Sequence, residues 1–510
     1  MPEYFIGVDI GTTSTKAVLY DEQLNILNMS HAGYPLLSPS PAVAEQDPEA
    51  IFRAVCTVIQ NVCRKTGVRE VQFVSFSSAM HSIMAVDEKG QPLTRLITWA
   101  DTRAKEQAEQ IKNGPDGADI YRRTGTPVHP MAPLAKIAMI RTVHPDLFNK
   151  TYKFIGIKEY VFHKLFGNFF IDYSVASATG LFNLHTLTWD EKAMAAAGIT
   201  AEKLSTPVPP LYMISGMKKQ YAEELTLPAD TPFIIGASDG VLSNLGVSAT
   251  DPRSVAITIG TSGAIRTMTG RPVTDPLGRT FCYILTENHW VIGGPVNNGG
   301  VTLRWARDEL AGAETELMKQ SGTDPYDALT EMAAKISPGA DGLLFLPYLT
   351  GERAPLWNAD AKGVFFGLGL HHKKSHLIRA VMEGVIFHLY TVMKVMEELA
   401  GTPEKIMATG GFTRSGCWVQ ILADLFNREV QIPENPESSC LGAVILGMKA
   451  VGKIHDITDV SRMTQLAKVY RPVKEHVNRY RELIPVFTRL ANKLQDEFAE
   501  ISKFQQKYGS

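Results

Sequence analysis

Two short stretches with the same pattern, almost half the chain apart, constrain the fold more than any other feature. The first is Gly7-Val8-Asp9-Ile10-Gly11-Thr12-Thr13-Ser14-Thr15-Lys16. Apolar residues alternate into it (Tyr4, Ile6, Val8, Ile10) and run out of it (Ala17, Val18, Leu19, Tyr20). That spacing predicts two strands joined by a small-residue turn, not a strand running into a helix. Gly11 lets the backbone approach a ligand, Thr12, Thr13 and Ser14 supply hydroxyls, and Lys16 supplies a cation. Successive backbone N–H groups in such a turn form an anion-binding nest. The second stretch, Ala256-Ile257-Thr258-Ile259-Gly260-Thr261-Ser262-Gly263-Ala264-Ile265-Arg266, repeats strand, Gly-Thr-Ser turn, strand and basic residue. One such turn alone reads equally well as an ordinary hairpin. Two of them, in two halves, imply a duplicated domain that clamps a triphosphate between its halves. No G-x-x-x-x-G-K-[ST] occurs, which excludes a Walker-type loop.

A chain of 510 residues suits two large domains. A net charge of −2 and the lack of a basic run argue against a nucleic-acid partner, so a small molecule is expected. The 5 cysteines (Cys56, Cys63, Cys282, Cys417, Cys440) are scattered, with no C-x-x-C, which fits reduced thiols. No basic-then-apolar leader opens the sequence and no apolar run reaches the length of a membrane span. The expectation is a cytoplasmic protein with no membrane partner.

Along the first half, a third strand near Asn25–His31 completes a meander, and Asp47-Pro48-Glu49 starts a helix that runs to Arg64. Its buried stripe is Ile51, Val55, Val58, Ile59 and Val62. The strand Val71–Phe76 ends in Ser77-Ser78-Ala79-Met80-His81-Ser82, and polar groups at strand C-termini are where open α/β sheets place ligands. His81 by itself reads as a loop histidine or as a ligand. Trp99, Asp101 and Arg103 place an aromatic face, an acceptor and a forked donor within five residues, suited to a polyol. Asp101 reads alternatively as the cap of a helix starting at Thr102. Residues 155–166 look helical and carry Lys158; Asp172–Gly180 either contacts substrate or turns the chain. A strand Phe233–Ile235 leads to Gly236-Ala237-Ser238-Asp239-Gly240, where Asp239 is either a helix cap or a general base for phosphoryl transfer.

The second half repeats the logic. Asn297-Asn298-Gly299-Gly300 follows a strand and leads into a helix with Arg304. Gly351-Glu352-Arg353-Ala354-Pro355 follows another. A long helix spans Ser375–Leu399, and Thr409-Gly410-Gly411 with Ser415 forms a strand-to-helix turn that admits a flat ring or a ribose. A charged helix, Val473–Gln506, closes the chain.

Gly363-x-Phe365-x-Gly367-Leu368, followed after seven residues by His376-Leu377-x-x-Ala380-Val381-Met382-Glu383, closely resembles the C-terminal signature of the FGGY carbohydrate kinases. Met131-x-Pro133-x-x-Lys136-Ile137-x-Met139-Ile140 matches the upstream signature in part, with Met139 where the family usually has Trp. The resemblance implies an α/β fold of two actin/hexokinase/Hsp70-like (ribonuclease H-like) domains around an interdomain cleft, here residues 1–246 and 247–510. It implies ATP and Mg²⁺ as cofactors, with Asp239 as catalytic base and Asp9 holding the metal. Gly11, Thr12, Thr13, Ser14 and Lys16 would meet the phosphates from the first domain and Gly260 and Thr261 from the second. Gly300, Arg304, Gly410, Gly411 and Ser415 would hold the rest of the nucleotide. A homodimer is expected by analogy alone.

Five blocks, around Ser77–Ser82, Thr98–Asp101, Gly156–Tyr160, Gly236–Val241 and Gly293–Gly300, resemble the gluconate-phosphorylating branch. They imply a substrate site of Ser78, Met80, His81, Trp99, Asp101, Arg103, Met131, Lys158, Asp239 and Arg266. Gluconate carries one negative charge, so a cation is expected beside it, with Arg103 placed ahead of Lys158 and Arg266. The alternatives are a pentulose kinase, favoured by Met80-His81, and an ATP-switched binding protein without catalysis.

Overall fold

The computed structural model describes residues 3–312, 322, 324–462 and 465–508. The chain divides into two units, Met1–Thr250 with Met268–Ile292 and Glu437–Met463, and Asp251–Thr267 with Gly293–Pro436 and Thr464–Ser510.

The first unit is built on β1 (Tyr4–Ile10), β2 (Ser14–Asp21), β3 (Ile26–Gly33), β4 (Phe73–Ser78), β5 (Met213–Ile214) and β6 (Phe233–Ser238), in the order β5-β6-β4-β1-β2-β3. The meander β1-β2-β3 is antiparallel, β1, β4 and β6 are parallel, and β5 returns antiparallel at the edge. The parallel strands are buried on both faces. Ile6, Val8 and Ile10 pack with Ile51, Val55, Val58 and Ile59 of the helix Pro48–Thr66. Asp47 caps that helix by accepting from Glu49 N, and Gly67 ends it in the left-handed region. On the other face Phe5, Val18 and Tyr20 pack with Val444, Ala443 and Leu242.

The helix Ser438–Ala450 thus reaches the first unit from far along the sequence, and glycines permit its close approach. A Cβ on Gly7 would meet Cys440 O at 2.3 Å, and one on Gly442 would meet Leu242 O at 2.1 Å.

The second unit repeats the plan with β7 (Ser254–Ile259), β8 (Gly263–Thr269), β9 (His289–Val296), β10 (Lys405–Thr409), β11 (Glu429–Pro433) and β12 (Leu466–Tyr470). Neighbours run β9-β8-β7-β10-β11-β12, and the unit boundaries fall within β8 and β9. The hairpin β7-β8 is antiparallel, β7, β10 and β11 are parallel, and β12 is antiparallel at the edge. This sheet has a seventh strand, Phe281–Thr286, beside β9; the other six repeat the plan of the first sheet, so the duplication read from the two turns extends to the topology.

Several boundaries differ from expectation. The strand placed at Val71–Phe76 is Phe73–Ser78, so Ser77 and Ser78 belong to the sheet. Ile155 ends a short strand, and the helix begins at Ile157 after Gly156. The expected terminal helix is two helices, Lys474–Lys493 and Gln495–Tyr508, separated at Leu494. Strand β12 had no sequence signal: four of its five residues are exposed, so no alternation marks it.

Candidate active site

Both turns adopt the same local geometry. Gly11 N donates to Ser14 O at 3.0 Å, and Gly260 N donates to Ser262 O at 2.9 Å. The first turn is braced on three sides. Tyr34 OH donates to Gly11 O (2.5 Å), Gln46 Nε2 to Thr12 O (2.6 Å) and Trp99 Nε1 to Thr12 Oγ1 (3.0 Å). Thr13 is exposed at the tip, while Ser14 and Lys16 begin β2 half-buried. The Lys16 ammonium pairs with Glu437 in the same unit. Trp99, expected as a flat surface for C–H groups, therefore also ties the Thr98–Asp101 segment to the phosphate-type turn.

The C-terminal ends of β1, β4 and β6 lie side by side. Asp9 pairs in register with Ser77, and Ser78 pairs with Ser238, so Asp9 and Asp239 sit at ends of strands that both flank β4. Ser77 Oγ donates to Asp9 Oδ1 at 2.7 Å. Desolvation raises the Asp9 carboxyl above its ordinary pKa, with Ser77 and the nearby Lys16 pulling it down and Glu437 pushing it up.

Asp239 is the first residue of the helix Asp239–Gly246; Ser238 occupies the cap position without a side-chain cap bond. The cap role is thus not filled by Asp239, whose Oδ1 accepts from the adjacent Gly240 N at 2.6 Å. Beneath it, Lys158 is 3% exposed and bonds to Asp172 Oδ2 at 2.7 Å and to Ala237 O at 3.1 Å. Burial lowers the Lys158 pKa, while Asp172 and Asp239 oppose that shift. Asp172 also caps the helix Tyr173–Ser177 through Val175 N, so the small-residue segment is anchored to the strand end that carries Asp239.

The Trp99–Arg103 segment departs from one of its two readings. The next helix starts at Lys105, with Ala104 at its cap position and no side-chain cap bond. Asp101 is fully buried and accepts instead from Ala44 N (3.0 Å) and Arg103 N (3.1 Å), while Arg103 Nε lies 2.9 Å from its Oδ2. Arg103 Nη2 reaches Glu45 Oε1 at 2.5 Å. Two carboxylates already balance this guanidinium, which weakens the case for it as the cation beside an anionic sugar.

Met80 is partly buried and Ser78 fully so. His81 is left-handed (φ 66°); its Nδ1 lies 2.6 Å from Ala178 O and its Nε2 3.3 Å from Tyr283 OH. Met131 is 1% exposed. Lys136, passed over in the sequence except as part of a signature, is fully buried and donates to His81 O (2.8 Å) and Thr98 O (2.6 Å), joining the two loops that carry most of the expected sugar contacts.

In the second unit, Gly260, Thr261, Gly300, Arg304, Gly411 and Ser415 line one cavity of about 290 Å³. Gly410 stands at φ 100°, where a Cβ would meet Ile259 O at 2.5 Å, so the turn requires glycine at this point. Ser415 caps the helix Gly416–Phe426 through Trp418 N (3.1 Å) and accepts from Thr330 Oγ1 (3.1 Å). Tyr326, Asp327, Thr330 and Phe412 also line it. Sequence reading missed Tyr326, Asp327 and Thr330, because no motif marks the segment after Arg304. Arg266 lies on β8, half-buried, in this second unit.

This geometry has counterparts among known proteins. The model for the N-terminal domain of the FGGY family of carbohydrate kinases matches residues 4–246, and that for its C-terminal domain matches 255–451. A gluconokinase from Bacillus licheniformis is 52% identical over 511 residues, with 100% of both chains covered. Two crystal structures from Lactobacillus acidophilus, described as gluconate kinase and as ligand-bound xylulose kinase, superpose with TM-scores of 0.93 and 0.92. Each is 38% identical and covers 98% of this chain and 100% of its own. The two turns, the carboxylates at the ends of β1 and β6 and the glycine-lined cavity are thus features of an enzyme, a two-domain α/β kinase closely related to gluconokinase: the chain belongs to the FGGY family of carbohydrate kinases.

Proposed function

We propose that this kinase transfers the γ-phosphoryl group of ATP to the terminal hydroxyl of D-gluconate, giving 6-phospho-D-gluconate. The observation that carries the proposal is the placement of Asp9 and Asp239 at the ends of the two strands that flank β4 in one sheet, beside loops fixed to each other by Lys136. Identity over the full length to a gluconokinase supports the choice of substrate. A pentulose is the second reading, favoured by the equal likeness to a structure described as xylulose kinase.

In this mechanism Asp239 accepts the hydroxyl proton as the oxygen attacks phosphorus. Lys158, bonded to Ala237 O, holds the strand end that presents Asp239. Thr12, Thr13, Ser14 and Lys16 of the first turn, with Gly260 and Thr261 of the second, orient the phosphates through hydroxyls, backbone N–H groups and charge. Gly300, Arg304, Gly410, Gly411 and Ser415 hold the nucleoside end.

FGGY kinases require Mg²⁺, and Asp9 fits it: its raised pKa marks a carboxylate that burial leaves under-compensated, with one side-chain hydrogen bond among the described residues. No cluster of three or more metal-ligating side chains occurs among the described residues, so Asp9 would hold the ion together with phosphate oxygens. When bound, the metal offsets charge on the transferring phosphoryl group.

Ser78, Met80, His81, Trp99, Asp101, Arg103 and Met131 complete the proposed sugar site. For the carboxylate of the substrate the candidates are Arg103, Lys158 and Arg266, of which Arg103 and Lys158 are bonded to acids. Phosphorus NMR on the product of the chain, Mg-ATP and D-gluconate tests the reading. A phosphomonoester on C6 is expected; ADP formation only with D-xylulose or D-ribulose overturns it.

A further inference from the structure

The segment Gly351-Glu352-Arg353 belongs to no part of the mechanism above, yet Glu352 is among the most fully enclosed carboxylates of the second unit. Its side chain is 0% exposed and no lysine or arginine side chain pairs with it among the described residues. Oε1 accepts from Asn297 N (2.5 Å) and Arg353 N (2.8 Å), and Oε2 accepts from Asn298 Nδ2 (2.9 Å), with His388 Nε2 at 3.4 Å. Asn298 is fully buried too. Its Nδ2 also donates to Gly351 O (2.7 Å), and its Oδ1 accepts from Thr350 N and Oγ1, both at 3.2 Å. The hydrogen bonds to Glu352 all come from donors, Asn297 N, Arg353 N and Asn298 Nδ2, which suits an acceptor-only carboxylate.

The strand end gripped by Glu352 leads to Gly299-Gly300, which touch the second turn. Two residues on, Gly300 N donates to Gly260 O at 2.7 Å and Val301 N to Thr261 O at 3.1 Å. The approach is so close that a Cβ on Gly299 would meet Ser262 O at 2.6 Å, and one on Gly300 would meet Gly260 O at 2.7 Å. The turn Gly260–Gly263 therefore takes its position from Gly299-Gly300, which take theirs from Asn297-Asn298, which are held by one buried carboxylate.

We propose that Glu352 is a positioning residue for the second phosphate turn: it touches no substrate, but sets the backbone that meets the ATP phosphates. The proposal rests on the nucleotide reading of the cavity beside Gly260 and Gly300. It separates the two ends of the nucleotide, because Gly410 and Gly411 follow β10, which is held by its pairing with β7, and Ser415 is bonded to Thr330. Glu352→Gln keeps the size of the side chain, but even with its oxygen towards the two backbone donors it sets an NH₂ group against the Asn298 amide donor.

The test is calorimetric titration of wild type, Glu352→Gln and Asn298→Ala with Mg-ATP and, separately, with adenosine, alongside steady-state kinetics. Losing a buried, charge-assisted contact predicts that Glu352→Gln weakens Mg-ATP by about tenfold or more. Adenosine affinity and the KM for gluconate should stay within about twofold, a change too small to count as a lost contact. Asn298→Ala should show the same split, with a smaller loss. Equal losses for adenosine and ATP, or unchanged Mg-ATP affinity in both variants, would overturn the proposal. A wild-type chain that binds neither nucleotide would overturn the reading of the cavity and this inference with it.

Discussion

At the scale of single residues, the decisive groups are buried or half-buried charges whose partners fix what they can do. In the proposed mechanism Asp239 is the general base, so Asp239→Asn should lower kcat by roughly 10²–10⁴-fold, the usual worth of such a group. Mg-ATP affinity should remain close to wild type; a variant that keeps most of its turnover would remove Asp239 from that role. Lys136 makes a second prediction. Burial pulls its pKa down to about 7, with Asp101 opposing and Arg103 adding to the shift. Between that value and the ordinary lysine pKa near 10.5, the unfolded chain binds a proton that the folded chain does not. Stability contributed at this site therefore rises with pH across that window and is flat below it. Thermal unfolding of wild type against Lys136→Met from pH 7 to 10 should show the difference moving in favour of wild type as pH increases; a constant difference would contradict the assignment. Asp101 shows why some residues were misread. A carboxylate just before a helix looks like a cap in sequence, but its partner Ala44 N comes from a distant segment that no local pattern reveals.

At the scale of elements, the strands around both turns were legible because their alternation or continuous apolarity matches the faces they bury. The helix Pro48–Thr66 was legible from its cap, its proline and its apolar stripe. The exposed edge strand β12 was not, nor was the break at Leu494, where nothing but the geometry of the chain ends one helix and starts the next. Glycine marks the tightest point of the first sheet. Gly236 lies in a register shift of β6 at φ 68°, and a Cβ there would stand 1.7 Å from Phe76 O of β4. Gly236→Ala combines left-handed strain with a backbone clash, so it should cost about 3 kcal/mol or more in urea unfolding. Because Ser238 and Asp239 follow directly, kcat should fall as well. A variant as stable as wild type would show that the strand end can shift freely, against the account of a fixed base. The C-terminal signature belongs to this scale. Glu383 accepts from Arg379 Nε (2.6 Å), Tyr480 OH (2.7 Å) and Gly339 N (3.0 Å). In this chain the most recognisable motif is a buried packing network.

At the scale of the whole molecule, duplication was readable from two turns, and the repeated strand order of the two sheets follows it. The return of Ser438–Ala450 to the first unit was not readable, because its signal is a set of glycine-to-backbone approaches between residues hundreds of positions apart. Nor did the sequence mark Tyr326 and Thr330, which line the cavity beside Gly260 and Gly300. Among the described residues no helix is long and apolar enough to cross a membrane. Substrate choice is the property of the whole chain on which the account stands. The most direct measurement is ADP release with saturating Mg-ATP and equal concentrations of D-gluconate, D-xylulose, D-ribulose and glycerol. The account predicts a kcat/KM for D-gluconate about 100-fold or more above each of the others, as expected where a site built to bind a charged group meets analogues lacking it. A ketopentose turned over as well as or better than gluconate would contradict it.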